Sequence, residues 1–130
     1  GVDGKITLKL APAAESLKGL VDSGHAGTFD LIFVDADKPS YAQYWDLAHT
    51  LLRTGGTVVA DNTMFQAFVP ARVGDAEIKA KFAHYPAAAQ DEVVKAAHAV
   101  RAFNKRVHDD KRFAISLIPV GDGMTFGVKL

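Results

Sequence analysis

The spacing of hydrophobic residues changes several times along this chain, and each change marks a new element. Phe29 to Val34 (FDLIFV) contains four consecutive apolar residues and runs into Asp35. A short apolar run of this kind predicts a strand buried on both faces, as in a parallel sheet covered by helices. After Pro39 the period becomes helical, with Tyr41, Tyr44, Trp45, Ala48, Leu51 and Leu52 on one side. Gly55-Gly56 is the expected stop for that helix. Thr57 to Ala60 (TVVA) is a second apolar run ended by an acid, Asp61, and predicts a second buried strand.

The flanking segments are read in the same way. Ile6 to Leu10 (ITLKL) alternates weakly and predicts a short strand. Pro12 suits the first turn of a helix, where its missing N–H costs nothing. That helix should run to about Val21 with Leu17, Leu20 and Val21 inward, before the turn residues Asp22-Ser23-Gly24 and Gly27. Phe65 to Ala89 is the least regular stretch, broken by Pro70, Gly74 and Pro86, with a short helix expected around Glu77 to Ala83. From about Ala88 to His108, one helical face carries Val93, Ala97, Val100, Phe103, Asn104 and Val107. Asp91 and Glu92 lie near its start, and Lys105, Arg106 and His108 near its end, the polarity the helix dipole favours. Phe113 to Ile118 and Met124 to Leu130 flank Pro119 and Gly121-Asp122-Gly123, which predicts a closing hairpin.

Strand and helix alternate, then a hairpin follows. The fold class is therefore α/β, a mostly parallel sheet with an antiparallel C-terminal hairpin. Ligands of such sheets sit outside the carboxyl ends of the strands, and two strands end there in carboxylates, Asp35 and Asp61.

Composition narrows the chemistry. The chain has 130 residues, 48% of them hydrophobic, which suits one globular domain. Fifteen basic residues balance fifteen acidic ones, so no long-range positive field exists to draw in nucleic acid. No apolar run approaches the roughly 20 residues of a membrane helix, and the default expectation is a soluble, cytoplasmic protein. Cysteine is absent, which removes disulfides and thiolate metal sites. Asp35, Asp37, Asp61 and Asn62 instead offer side-chain oxygens from two strand ends. Hard divalent cations take oxygen ligands, and Mg²⁺ characteristically uses one or two carboxylates while keeping water or substrate in its other positions. With no thiolate, and no histidine beside these acids, Mg²⁺, Mn²⁺ or Ca²⁺ is favoured over zinc. Each acid alone reads equally as a turn or helix cap. An Asp-x-Asp after an apolar strand also occurs in metal-dependent glycosyltransferases, so the pattern alone leaves that alternative open.

A longer stretch is more specific. FDLIFVDADKPSYAQYWDLAHTLLRTGGTVVADNTMF resembles the cation-dependent O-methyltransferases that act on catechols and caffeoyl-CoA, which carry an apolar strand into VDADK, a Tyr-rich helix, a Gly-Gly pair, a second strand and Asp-Asn. SLIPVGDGMTFGVKL resembles the closing hairpin of that family, and ITLKLAPAAESL its third strand and following helix. Three separated matches in order span nearly the whole chain.

The resemblance implies a Rossmann-like methyltransferase fold lacking its first strands, so that residues 1–130 form a single partial domain, the C-terminal part. It implies a methyl transfer from S-adenosylmethionine to a hydroxyl of a catechol-like or caffeoyl-type acceptor chelated to a divalent metal; the alternative is a non-catalytic subunit that keeps the fold. Asp35, Asp61 and Asn62 match the family's metal ligands, and Lys38 its general base. Ala13, Asp35, Asp37 and Tyr44 match cofactor-binding positions. Phe65 and Gln66 fall in the acceptor-binding loop. The implied partners are a small aromatic acceptor and a second copy of the complete protein, a homodimer. The family's first two strands, with the glycine-rich turn and the ribose-binding acid, have no counterpart in these residues. Ile6 to Leu10 is expected to lack a neighbour for that reason, in a truncated sequence or one half of a split protein. The segment APAAES also departs from the family: Ala11 stands where a glycine is usual, and MFQAFV follows Asp-Asn and Thr63 where a tryptophan is usual.

Overall fold

The computed structural model describes all residues, 1–130. Four helices and four strands follow in the order α1 (Ala13–Asp22), β1 (Phe29–Val34), α2 (Tyr41–Leu51), β2 (Leu52–Ala60), α3 (Asp75–Lys81), α4 (Ala87–Asp109), β3 (Phe113–Ile118) and β4 (Met124–Lys129). Short 3₁₀ turns occupy Asp3–Lys5 and Lys38–Ser40. The strands form one sheet in the order β1-β2-β4-β3. β1 and β2 run parallel, while β4 is antiparallel to both β2 and β3. The domain is thus mixed α/β, with the expected hairpin at its end.

The helical stripe of α2 builds the main core. Tyr41, Tyr44, Trp45, Ala48, Leu51 and Leu52 are all buried. Trp45 meets the Phe103 ring of α4 and the Phe113 ring of β3 at centroid distances of 5.5 and 4.8 Å, separations at which tilted aromatic pairs attract. Its indole N–H donates to Asp110 at 3.1 Å, so its one polar group is not buried at a loss. A smaller cluster of Phe68, Ile78, Val94 and Ala97 fastens residues 65–82 to the first half of α4.

Three sequence expectations need correction. Ile6 to Leu10 forms no strand: the segment is irregular, and Ile6, Leu8 and Leu10 are exposed. No strand of this chain lies beside it to accept its hydrogen bonds, and an unpaired single strand has nothing to hold its conformation. β1 is covered on one face only. Ile32 and Val34 pack against the core, but Leu31 and Phe33 are 60% and 56% exposed. Finally, Gly55-Gly56 does not stop α2, which ends at Leu51 and passes directly into β2. The pair serves a bulge instead. Phe29 pairs with Leu52 but Leu31 with Thr57, so β2 carries extra residues between them. A Cβ on Gly56 would lie 2.9 Å from the Arg53 carbonyl oxygen and 3.0 Å from that of Phe29, a distance only glycine permits.

Candidate active site at the carboxyl ends of the parallel strands

Parallel register sets the site. Val34 of β1 is level with Ala60 of β2, and the Asp61 N–H donates to the Val34 carbonyl at 3.0 Å. Asp35 and Asp61 therefore leave the sheet side by side at one edge. Asn62 follows with φ +56°, a left-handed conformation that asparagine tolerates better than most residues. Its N–H donates to the Asp61 carboxylate at 2.6 Å.

Lys38 joins the two strand ends. It begins the short turn leading into α2, and its Nζ donates to Asn62 Oδ1 at 2.8 Å and stands 3.4 Å from Asp35 Oδ1. It also bonds the Tyr41 hydroxyl. The Lys38 side chain is 11% exposed and that of Asp35 54%, so the ammonium sits inside the cluster while the carboxylate faces outward. The Tyr41 hydroxyl donates to the Asp61 carbonyl at 3.1 Å. Burial first, and the negative charge of Asp35 second, push the Tyr41 hydroxyl well above its ordinary range. Tyr41 therefore stays protonated and acts as a donor that fixes the Asp61 turn.

Beside this cluster lies a cavity of about 270 Å³ between the start of α1 and the end of β1. Ala13, Leu17, Ile32, Asp35, Ala36 and Tyr44 are among its lining residues. Asp37 stands behind it, accepting from Ser40 Oγ at 2.5 Å and from the Tyr44 hydroxyl. Burial pulls the Asp37 carboxyl upward, but the hydrogen bonds from Ser40 and Tyr44 outweigh it and leave it below its ordinary value. Burial and the bond to Asp37 raise the Tyr44 hydroxyl in turn.

The structure thus brings Lys38 into contact with both Asp35 and Asn62, with Asp61 adjacent, and it puts Ala13, Asp35 and Tyr44 around one cavity. Asp37 reaches that cavity through Tyr44. Phe65 and Gln66 are not part of it: the Phe65 ring packs 6.2 Å from that of Phe68, and Gln66 is exposed. No group of three or more His, Cys, Asp or Glu side chains is positioned to hold a metal; the candidate donors are two carboxylates and one amide oxygen. That set fits a hard cation by its chemistry, being all oxygen, and the cationic Lys38 Nζ already contacts two of the three residues. No helix is long and apolar enough to cross a membrane.

Sequence reasoning assigned Tyr41 to the core alone. Its spacing three residues after Lys38, at the mouth of two strands, was the available signal for a second role. Asn104, a polar residue on the apolar face of α4, was another: its side-chain N–H donates to the Thr63 carbonyl at 2.7 Å, just past Asn62.

The whole chain resembles known proteins. The family model described as O-methyltransferase matches residues 1–130. "Probable caffeoyl-CoA O-methyltransferase 2" of Dictyostelium discoideum is 37% identical over 130 residues, which is 100% of this chain and 49% of that protein. Caffeoyl-CoA O-methyltransferase 1 of Eucalyptus globulus is 36% identical over 96% of this chain and 46% of its own length. A Podospora anserina methyltransferase, solved with SAH bound, superposes with a TM-score of 0.70 at 27% identity, covering 92% of this chain and 47% of that one. The fold is an α/β domain of the methyltransferase type. The chain belongs to the O-methyltransferase family, and it spans about half the length of the curated relatives it matches.

Proposed function

We propose that the protein transfers a methyl group from S-adenosylmethionine to one hydroxyl of a vicinal aromatic diol, catechol-like or caffeoyl-type, bound at the ends of β1 and β2. The observation that carries this reading is the junction of Asp35, Lys38 and Asn62 beside a cavity lined by Ala13 and Tyr44. The cavity is the place for the cofactor, with Ala13, Asp35 and Tyr44 against it and Asp37 holding the Tyr44 hydroxyl. A divalent cation held by Asp35, Asp61 and Asn62 would supply a Lewis acid and a template for two neighbouring hydroxyl oxygens.

Lys38 is the proton acceptor for the reacting hydroxyl, since a free phenol is a weak nucleophile near neutral pH. Tyr41 keeps the Asp61 turn in place throughout. S-adenosylmethionine, when bound, would supply the methyl carbon for attack by the acceptor oxygen opposite sulfur, the new O–C bond replacing the S–C bond and the sulfonium leaving as a neutral thioether. Holding the two reactants in line supplies the proximity contribution.

The test is direct. The complete protein is incubated with S-adenosylmethionine, Mg²⁺ and either a catechol or a phenol with one hydroxyl, and methyl ethers are measured by mass spectrometry; residues 1–130 alone are expected to be inactive. Product from the diol alone, abolished by EDTA, is expected. Equal methylation of the single-hydroxyl phenol in EDTA would sink chelation as the basis of recognition, and no methylation of any diol would sink the activity.

A further inference from the structure

The Gly121-Asp122-Gly123 turn reads from the sequence only as a hairpin corner, yet it grips the segment that follows Asn62. Thr63 N donates to the Gly123 carbonyl and Met64 N to that of Asp122, both at 2.9 Å. The Asp122 carboxylate accepts the N–H of Gln66. Gly123 is pressed so closely on the segment that an added Cβ would lie 2.5 Å from Met64 Cγ and 2.8 Å from Met64 N.

The segment needs such a hold. Phe65, Gln66 and Ala67 have φ values of +44°, +53° and +59°. L-residues with a Cβ visit this left-handed region singly, not in runs, and such conformations persist only where the surroundings over-determine them. The flanks are tied to α4: Asn104 Nδ2 donates to the Thr63 carbonyl at 2.7 Å, and Arg101 donates to the Phe68 and Val73 carbonyls at 2.9 and 2.5 Å. The middle of the turn, at Gln66, is held by Asp122.

We infer that Asp122 is a positioning residue for the acceptor side of the site, acting through the Gln66 N–H to fix Phe65 and Gln66 relative to Asn62. This rests on the proposed methyltransferase reading. Asp122 touches neither the cavity nor Lys38; its effect is confined to the loop, which separates it from the cofactor side.

The complete protein is compared with its Asp122→Ala and Asp122→Asn variants, the second retaining an oxygen that can accept from Gln66. Amide hydrogen exchange over residues 63–68 should quicken roughly tenfold in Asp122→Ala, the effect of losing a hydrogen bond to a charged acceptor. It should stay near the parent rate in Asp122→Asn, with α2 unchanged in both as the check on folding. In the methylation assay the KM for the diol should rise about tenfold in Asp122→Ala. The KM for S-adenosylmethionine should not move, and Asp122→Asn should restore the diol KM. Unchanged exchange at residues 63–68 in Asp122→Ala overturns the proposal, as does faster exchange with an unmoved diol KM, which makes the contact a turn brace only. Failure of the parent protein to methylate any diol overturns the functional reading and takes the positioning role with it. A working parent with an unaffected variant removes Asp122 alone.

Discussion

Replacing Lys38 with methionine separates the two roles its position allows. Nζ sits between Asp35 and Asn62, at 3.4 and 2.8 Å, so it is either a proton acceptor in catalysis or a structural cation holding two strand ends together. If it is the base, Lys38→Met should lower turnover by roughly 10²–10⁴-fold, the usual contribution of a positioned proton acceptor, or about 3–5 kcal/mol of barrier. The structural loss should be much smaller. Asp35 is half exposed, so its pairing with Lys38 is screened by water and is worth no more than about 1 kcal/mol. Lys38 also competes for the oxygens a cation would use. Removing it should therefore leave Mg²⁺ affinity unchanged or tighten it by up to about fivefold, the equivalent of that same pairing energy. Single-turnover methylation gives the first quantity, and titration calorimetry with Mg²⁺ the second. Undiminished turnover would remove Lys38 as the base. A tenfold loss of metal affinity together with lower turnover would show that Lys38 organises the site rather than accepting a proton.

Three further outcomes test the packing and electrostatics around it. Gly127→Ala should destabilise by about 1–3 kcal/mol, because the new Cβ would lie 2.5 Å from the Trp45 ring; thermal unfolding would measure it, and an unchanged Tm would contradict the packing described. Asp110→Ala should cost about 1–3 kcal/mol by leaving the Trp45 indole N–H without a partner, read as a lower urea midpoint. The Asp110 carboxyl is held well below its usual range by Arg112, and that of Asp37 lies below its own through Ser40 and Tyr44, against the upward pull of burial. Carboxyls depressed in the folded state stabilise it above their unfolded values, near pH 4, and that stability is lost as pH falls through the folded values. Urea midpoints should therefore drop below about pH 4, and less steeply in Asp110→Asn; a flat profile from pH 7 to 3 would contradict the assignment.

The parallel pair and its acidic ends were legible in the sequence because one residue pattern encodes both. FDLIFV matches β1 residue for residue, and the acids that close FDLIFV and TVVA lie level because parallel register puts Val34 against Ala60. The stripe on α2 was legible for a similar reason: six large or apolar residues at helical spacing have no other way to leave water together. What hydrophobic pattern does not carry is what lies on the far side of a residue. FDLIFV is as apolar at Leu31 and Phe33 as at Ile32 and Val34, yet only the latter pair is covered in this chain. Gly55-Gly56 looked like a helix stop because that role is common, whereas the approach of Gly56 to the Phe29 carbonyl is a tertiary fact.

The loop after Asn62 was illegible for a different physical reason. Met64-Phe65-Gln66-Ala67 contains no glycine or proline to announce an unusual turn, and left-handed φ at three such residues runs against their intrinsic preference. Its conformation is imposed from elsewhere, by Arg101 (33 residues after Phe68), Asn104 (41 after Thr63) and Asp122 (56 after Gln66), and by the close approach of Gly123. Those partners are individually ordinary: an arginine and an asparagine on a helix, and a turn aspartate between glycines. Their meaning appears only when α4 and the hairpin close over the same segment. The division fits the proposed chemistry. The groups proposed to bind metal and accept the proton stand on strand ends and a helix start, where local sequence sets geometry, while the loop proposed to face the acceptor takes its shape from distant elements. On that proposal, substitutions in α4 or the hairpin turn would alter which acceptor fits without touching Asp35, Lys38, Asp61 or Asn62, so acceptor choice would be free to vary while the reaction stays the same.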